Sequence, residues 1–303
     1  MPSKEDLIKY IYAKQRETRI LSNNHLENLT KERLKFNDLK RHVDSFIQTD
    51  GEYYNRFIMM SGLRGVGKTT ILYQLYDYLI KQKDVPESDI FYLDLHDLKS
   101  IYDVGIKEVF DLFLEDIHQT IPASLNRKIF LFVDEAQLDK GWADYARLLF
   151  DKTFNIFMIF TGSSALGLEL NVDASRRITK DQLLPCSFQE YLLLKHNVNL
   201  TKNNFRDLVL RLNQNTIDEA IECENIIKKD LIKLDNDPQL EFKKFLHSQS
   251  FPYALNQAEV VTHRLTNDMI ERIVQEDLKQ FASFNNGTNA SILRLISYLA
   301  TKK

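Results

Sequence analysis

Gly62-Leu63-Arg64-Gly65-Val66-Gly67-Lys68-Thr69-Thr70 decides the reading of this chain. It fits G-x-x-x-x-G-K-[ST] at every fixed position, the pattern of a loop that cradles phosphates. Its flanks agree with it. Arg56-Phe57-Ile58-Met59-Met60 reads as a short buried strand, and Ile71-Leu72-Tyr73-Gln74-Leu75-Tyr76-Asp77-Tyr78-Leu79 reads as a helix. Glycines at 62, 65 and 67 let the backbone turn tightly and approach a ligand without Cβ clashes. Consecutive N–H groups from Leu63 to Thr70 then converge on phosphate oxygens, helped by the positive end of the following helix. Lys68 is placed to reach the β and γ phosphates, Thr69 to bind Mg²⁺, and Thr70 to touch the α phosphate. Arg64 reads either as a loop contact or as a solvated residue. Three of the nine glycines crowd into this loop, which a simple turn does not require.

Outward from the loop, buried strands alternate with helices. Ile90-Phe91-Tyr92-Leu93-Asp94 is an apolar strand, and 104–120 suits a helix. Lys128-Ile129-Phe130-Leu131-Phe132-Val133-Asp134-Glu135 has the continuous apolar run of a strand covered on both faces, as in a parallel sheet. Two acids stand where it emerges, at the edge where open α/β sheets bind ligands. Asp134 is placed to hold Mg²⁺, and Glu135 to orient and deprotonate an attacking water. Asn155-Ile156-Phe157-Met158-Ile159-Phe160 is a fourth strand, ending in Thr161-Gly162-Ser163-Ser164. Thr161 or Ser163 either senses a γ phosphate or holds the attacking water, or simply forms the turn. Gln182-Leu183-Leu184-Pro185 reads as a fifth strand, with Arg176-Arg177 just before it. An arginine near a γ phosphate accelerates transfer about 10³–10⁵-fold; the other reading is a pair of surface arginines.

The two ends read as helical. Ser3 with Asp6 marks a helix start, and Leu26, Leu29, Leu34, Phe36, Leu39, Val43, Phe46 and Ile47 follow a helical period. We expect an amphipathic lead-in packed on the sheet domain, the alternative being a partner-binding arm. After Ser187 the spacing is helical throughout, broken at Asp235-Asn236-Asp237-Pro238 and at Ser250-Phe251-Pro252-Tyr253. The expected organisation is a lead-in over 1–50, an α/β domain over 51–195 and a helical region over 196–303.

Bulk properties narrow the class. The chain has 303 residues, 44% hydrophobic and 27% charged, with a net charge of −3, so no global field favours nucleic acid. Cys186 and Cys223 are too few for a disulfide framework or a cysteine metal site. Lys4, Glu5 and Asp6 interrupt any secretory leader, and the longest apolar run, Ile156 to Phe160, has strand length. Cytoplasmic placement and no membrane partner are the resulting expectations.

The phosphate loop, Leu131-Phe132-Val133-Asp134-Glu135-Ala136-Gln137, Gly141-Trp142, Thr161-Gly162-Ser163-Ser164 and Leu184-Pro185-Cys186-Ser187-Phe188-Gln189-Glu190-Tyr191 come in a shared order. In this the chain resembles the prokaryotic AAA-type P-loop ATPases of the AAA_14, or archaeal-type, family, related to the signal-transducing STAND NTPases. The resemblance covers about residues 50 to 195. It implies an AAA+-like parallel sheet with an all-helical lid and ATP with Mg²⁺ as ligands. By spacing, Arg177 matches a family arginine, although Arg176 stands where the family has glycine. Phe251-Pro252-Tyr253 resembles the lid turn beside adenine, which makes Pro252 a base contact. Relatives continue into a winged-helix or nuclease-like region, and this sequence ends near its start.

The function expected is hydrolysis of Mg-ATP coupled to conformational change. Two alternatives stand beside it: a slow-turnover, nucleotide-gated switch acting through a protein partner or a second copy, and a DNA-associated ATPase by family analogy. A small GTPase would also want an [NT]-K-x-D base-reading motif, which the sequence lacks. A small-molecule kinase would leave Glu135 without a water to activate.

Overall fold

The computed structural model describes residues 2–27, 29, 31–162, 172–201, 204–211, 216–277 and 286–301. Two helices open the chain, α1 (Lys4–Leu26) and α2 (Leu34–Gln48). Then come β1 (Phe57–Ser61), α3 (Lys68–Lys83), β2 (Ile90–Asp94), α4 (Leu95–Ile101) and α5 (Ile106–Leu112), which widens into a π-helical turn over Phe113–Ile117. They are followed by β3 (Ile129–Asp134), α6 (Trp142–Lys152), β4 (Ile156–Gly162), α7 (Val172–Ser175) and β5 (Thr179–Gln182). The described elements after β5 are helices: α8 (Phe188–His196), α9 (Phe205–Leu210), α10 (Ile217–Leu231), α11 (Pro238–Ser248), α12 (Glu259–Arg272) and α13 (Asn286–Thr301).

The five strands form one sheet in the order β2-β3-β4-β1-β5, and every pairing is parallel. Every residue of β1, β3 and β4 is buried, as the unbroken apolar runs require. Period-two alternation divides their side chains between two layers. On one face Met59, Leu131, Val133, Met158 and Phe160 join Phe110 and Phe113 and α6, with Trp142 4.7 Å from Phe160. On the other, Phe46 of α2 stands 5.5 Å from Phe130 and 5.4 Å from Phe157. Each such ring contributes about 1.5–3 kcal/mol on burial.

The lead-in helices are built into this unit. Ser3 and Asp6 form the capping box that starts α1, and Leu7 and Ile11 face inward from it. Phe36, Leu39, Val43 and Phe46 make the inner stripe of α2. Lys128 closes the C-terminal end of α2, donating to the carbonyls of Phe46 (2.7 Å), Ile47 (2.7 Å) and Thr49 (2.9 Å). A cation there satisfies orphan carbonyls and complements the negative helix end.

Internal contacts divide the chain into a sheet unit (residues 1–29, 34–184 and 268–303) and a helical unit (30–33 and 185–267). The division thus falls at 184/185, where the sequence reading drew it at 195. The reason lies in α8. Its Phe188 sits 5.0 Å from Phe242 and 5.5 Å from Phe245, and Tyr191 sits 5.6 Å from Phe245. Ser187 and Glu190 form the box that starts this helix, and Glu190 also receives the buried fork of Arg33 at 3.0 and 2.7 Å. A buried Glu241 accepts from Tyr191, from Asn236 (3.0 Å) and from Lys244 (2.7 Å), with His196 Nε2 at 2.8 Å.

Three local expectations shift. The fifth strand lies at Thr179–Gln182, just before the expected Gln182–Pro185. It is an edge strand of alternating exposure, so its residues carry no apolar run to announce it. The sequence began a second lead-in helix near Leu26, whereas Leu26 ends α1 and α2 starts at Leu34. The helix read over 104–120 is confined to Ile106–Leu112 and the π-helical turn after it.

Candidate functional site

β1 delivers its chain to the loop at Gly62, and α3 carries it away from Lys68. Gly65 (φ 79°) and Gly67 (φ 97°) adopt left-handed backbone, which glycine enters at no steric cost. Gly62 meets a different constraint: a Cβ there would fall 2.4 Å from the carbonyl oxygen of Leu183. Among the described residues no side chain caps the start of α3, and its first turn holds no acid. Its backbone donors and positive dipole end therefore face the loop.

Lys68, though charged, is 6% exposed. Its Nζ donates to the carbonyls of Gly62 (2.9 Å) and Leu63 (3.1 Å), which folds the ammonium back over the loop. Thr69 Oγ1 donates to Asp134 Oδ2 at 2.6 Å. Asp134 ends β3, whose neighbour β4 supplies Thr161, a fully buried hydroxyl that donates to Asp134 Oδ1. Tyr92 of β2 donates to Asp134 Oδ2 at 3.2 Å. Both carboxylate oxygens are thus held by side chains from the adjacent strands and from α3.

Glu135 follows in left-handed backbone, φ 56° and ψ 42°. For a residue with a Cβ this costs on the order of 1 kcal/mol, and such outliers gather at functional sites. Gln137 Nε2 donates to Glu135 Oε2, which fixes the carboxylate's direction. Thr69 and Asp134 together present hard oxygen donors of the kind Mg²⁺ takes, which fits them to that ion.

Three further groups belong to this corner, and the sequence reading did not single them out. Asp94 ends β2 in register with Asp134. Burial, and then the Asp134 charge, push its carboxyl up to about 6. Tyr92 is the second. Its hydroxyl is pushed well above its ordinary range by burial first and by Asp134 next. The third is His25, in the last turn of α1, whose Nε2 lies 2.8 Å from Thr70 Oγ1 and whose ring sits 5.4 Å from Tyr73. The carboxylate at the end of the Ile90–Asp94 run was a usable signal for Asp94. Nothing in the sequence pointed His25 at Thr70.

Other expected residues fall elsewhere. Arg177 lies before β5, level with the start of β1, because Ile58 pairs with Thr179. By the same register it is level with Arg56, and so about 20 Å along the strands from the end that carries the phosphate loop. There it pairs with Asp151 at 2.6 Å and donates to the Asp173 carbonyl at 2.9 Å. The structure does not bring it to the loop of its own chain. Pro252 is in the helical unit, in a short turn at Pro252–Ala254. Ser163 lies outside the described residues.

Residues 54–192 match the AAA_14 family, described as an AAA domain. An uncharacterized protein of Methanocaldococcus jannaschii, MJ1637, is 30% identical over 276 residues, 91% of this chain and 54% of that protein. An uncharacterized protein of Haemophilus influenzae is 32% identical over 140 residues, 46% of this chain and 33% of that one. The chain thus spans about half the length, or less, of the curated relatives it matches. Among solved structures, PCH-2 of C. elegans has a TM-score of 0.39 at 14% identity, covering 70% of this chain and 71% of that one. Aeropyrum pernix ORC1 in complex with DNA has 0.42 at 11% identity, covering 79% and 66%. Scores this low add nothing to the fold already traced.

Proposed function

We propose that the chain binds Mg-ATP and hydrolyses it to ADP and phosphate, a reading that builds on the match of residues 54–192 to the AAA-domain family. The observation that carries this reading is the 2.6 Å contact between Thr69 and Asp134, with Lys68 seated over the same loop. The loop after β1 supplies phosphate contacts, and β3, separated from β1 by β4, supplies the acids, as phosphoryl transfer to water requires.

Each residue then has a task. Backbone N–H groups from Leu63 to Thr70, Arg64 and Val66 included, surround the phosphates, and Gly62 allows the close approach. Lys68 neutralises charge on the β and γ oxygens, where two charge-assisted hydrogen bonds replace those it makes to carbonyls. Thr69 and Asp134 hold Mg²⁺, which when bound offsets charge on the phosphate oxygens. Thr161 and Tyr92 fix the Asp134 carboxylate. Glu135, aimed by Gln137, accepts a proton from the water that attacks the γ phosphate. Arg177 would have to act on a neighbouring copy's site, since its own loop lies at the opposite end of the strands. Pro252 remains the proposed base contact. Coupling of turnover to motion of the helical unit completes the reading.

The second reading is a nucleotide-gated switch. The specific observation in its favour is His25 against Thr70, which ties α1 to the residue expected at the α phosphate. Rates of phosphate release and nucleotide exchange separate the two. Glu135→Gln should bind ATP as the natural protein does and lose hydrolysis about 10²–10⁴-fold. Phosphate release slower than exchange in the natural protein would favour the switch, and full hydrolysis by the variant would remove Glu135 from the mechanism.

A further inference from the structure

The helical unit brings three metal-ligating side chains together. His247 is in the last turn of α11. Glu259 opens α12, and His263 follows one turn later, so the two share a helix face. Glu259 Oε1 lies 3.2 Å from His247 Nδ1 and 3.4 Å from His263 Nε2. All three ligand atoms fall within 4.8 Å of one another, and the imidazole rings are 6.0 Å apart.

We propose that His247, Glu259 and His263 form a site for a divalent transition-metal ion of the zinc class. The donor set argues for it. Two imidazoles and one carboxylate suit zinc or its neighbours in the series, whereas magnesium and calcium take oxygen sets. The spacing argues for it too. Ligands held about 2.0–2.1 Å from a tetrahedral zinc stand about 3.4 Å apart, close to both distances from Glu259 Oε1. A cation equidistant from the three atoms needs little side-chain movement. The three groups are also open to solvent, which leaves a fourth position for water and a route for the ion.

The ion's place in the chain gives it a role. His247 and Glu259 bracket residues 248–258, which include the short turn at Pro252–Ala254. A metal on both sides of that segment closes the loop at its base and fixes the end of α11 on the start of α12. Loop closure of this kind reduces the freedom of the open chain.

The test uses the full chain, stripped with chelator and titrated with Co²⁺, then Zn²⁺, in the absence of nucleotide. The expected result is one Co²⁺ per chain with the strong ligand-field absorption of tetrahedral coordination, displaced by Zn²⁺ and not by excess Mg²⁺. His247→Ala and His263→Ala should each weaken binding at least about tenfold, since even loss of a group supporting a ligand costs that much. His42→Ala, on α2, should leave it unchanged. All three ligands are surface residues, and circular dichroism checks that the variants keep their helices. Glu259→Gln, which alters least, should also lower affinity. No absorption in the natural protein at millimolar Co²⁺ would overturn the proposal. So would absorption that survives in the double variant lacking both histidines, because the ion would then sit elsewhere.

Discussion

Gly62→Ala isolates the part of the loop that depends on space alone. The added Cβ would lie 2.4 Å from the Leu183 carbonyl oxygen and 3.1 Å from Val66 Cγ2. Ordinary contact begins near 3.4 Å, so one backbone must move by about 1 Å. Neither is free to do so. Leu183 N donates to Ser61 O at 2.7 Å, and Gly62 N donates to Gly162 O at 3.3 Å, which pins the crowded segment on two sides. Overpacking of this kind costs about 1–3 kcal/mol, and stretching the Ser61 bond adds about 1 kcal/mol. Trp142 is the only tryptophan, and it is buried against Phe160 in the sheet unit, so its fluorescence follows that unit alone. At about 2 kcal/mol/M, the urea midpoint should fall by ~1–2 M. Gly141→Ala is the control, since its Cβ would meet Asp139 Oδ1 at an ordinary 3.4 Å and its φ is −88°. It should shift stability by less than about 0.5 kcal/mol. Equal midpoints for the two variants would refute the crowding at Gly62.

Lys68→Ala removes the ammonium folded over the loop; with charge-assisted bonds of about 1.5–3 kcal/mol each, ATP affinity should fall at least ~100-fold by calorimetry. Natural affinity in that titration would move the phosphate site elsewhere. His25→Ala loses the contact to Thr70, worth about 0.5–1.5 kcal/mol, so a two- to tenfold change in nucleotide affinity is expected, with unchanged affinity counting against the switch reading. Acid should loosen the helical unit through Glu241. Burial would raise this carboxyl, but hydrogen bonds from Lys244, Tyr191 and His196 outweigh that and hold it at about 2. Its folded value is thus depressed below the ordinary 4.5, so its contribution is complete above 4.5 and is lost as pH falls toward 2. Amide exchange in α8 and α11 should accelerate across that window, and Glu241→Gln should flatten the response.

The sheet was legible because its strands are covered on both faces. Phe57–Met60, Ile129–Val133 and Ile156–Phe160 read as unbroken apolar runs, and glycines at 62, 65 and 67 with Lys68 fixed the loop between strand and helix. β5 was harder, since an edge strand such as Thr179–Gln182 alternates in exposure and the leucines beyond it drew the reading onward. Strand order was not legible at all. Without it Asp94 could not be placed beside Asp134, nor Arg177 at the opposite end of the strands from the loop. His25 illustrates the same limit: 45 residues separate it from Thr70, and only the packing of α1 brings them together.

The twisted backbone at Glu135 sets a trap for anyone breeding this protein for heat tolerance. Glycine would relax that turn and gain a fraction of a kilocalorie, about 0.5–1 kcal/mol, while deleting the carboxylate proposed to take the proton. Thermal screens blind to turnover would therefore enrich sturdier but inert clones.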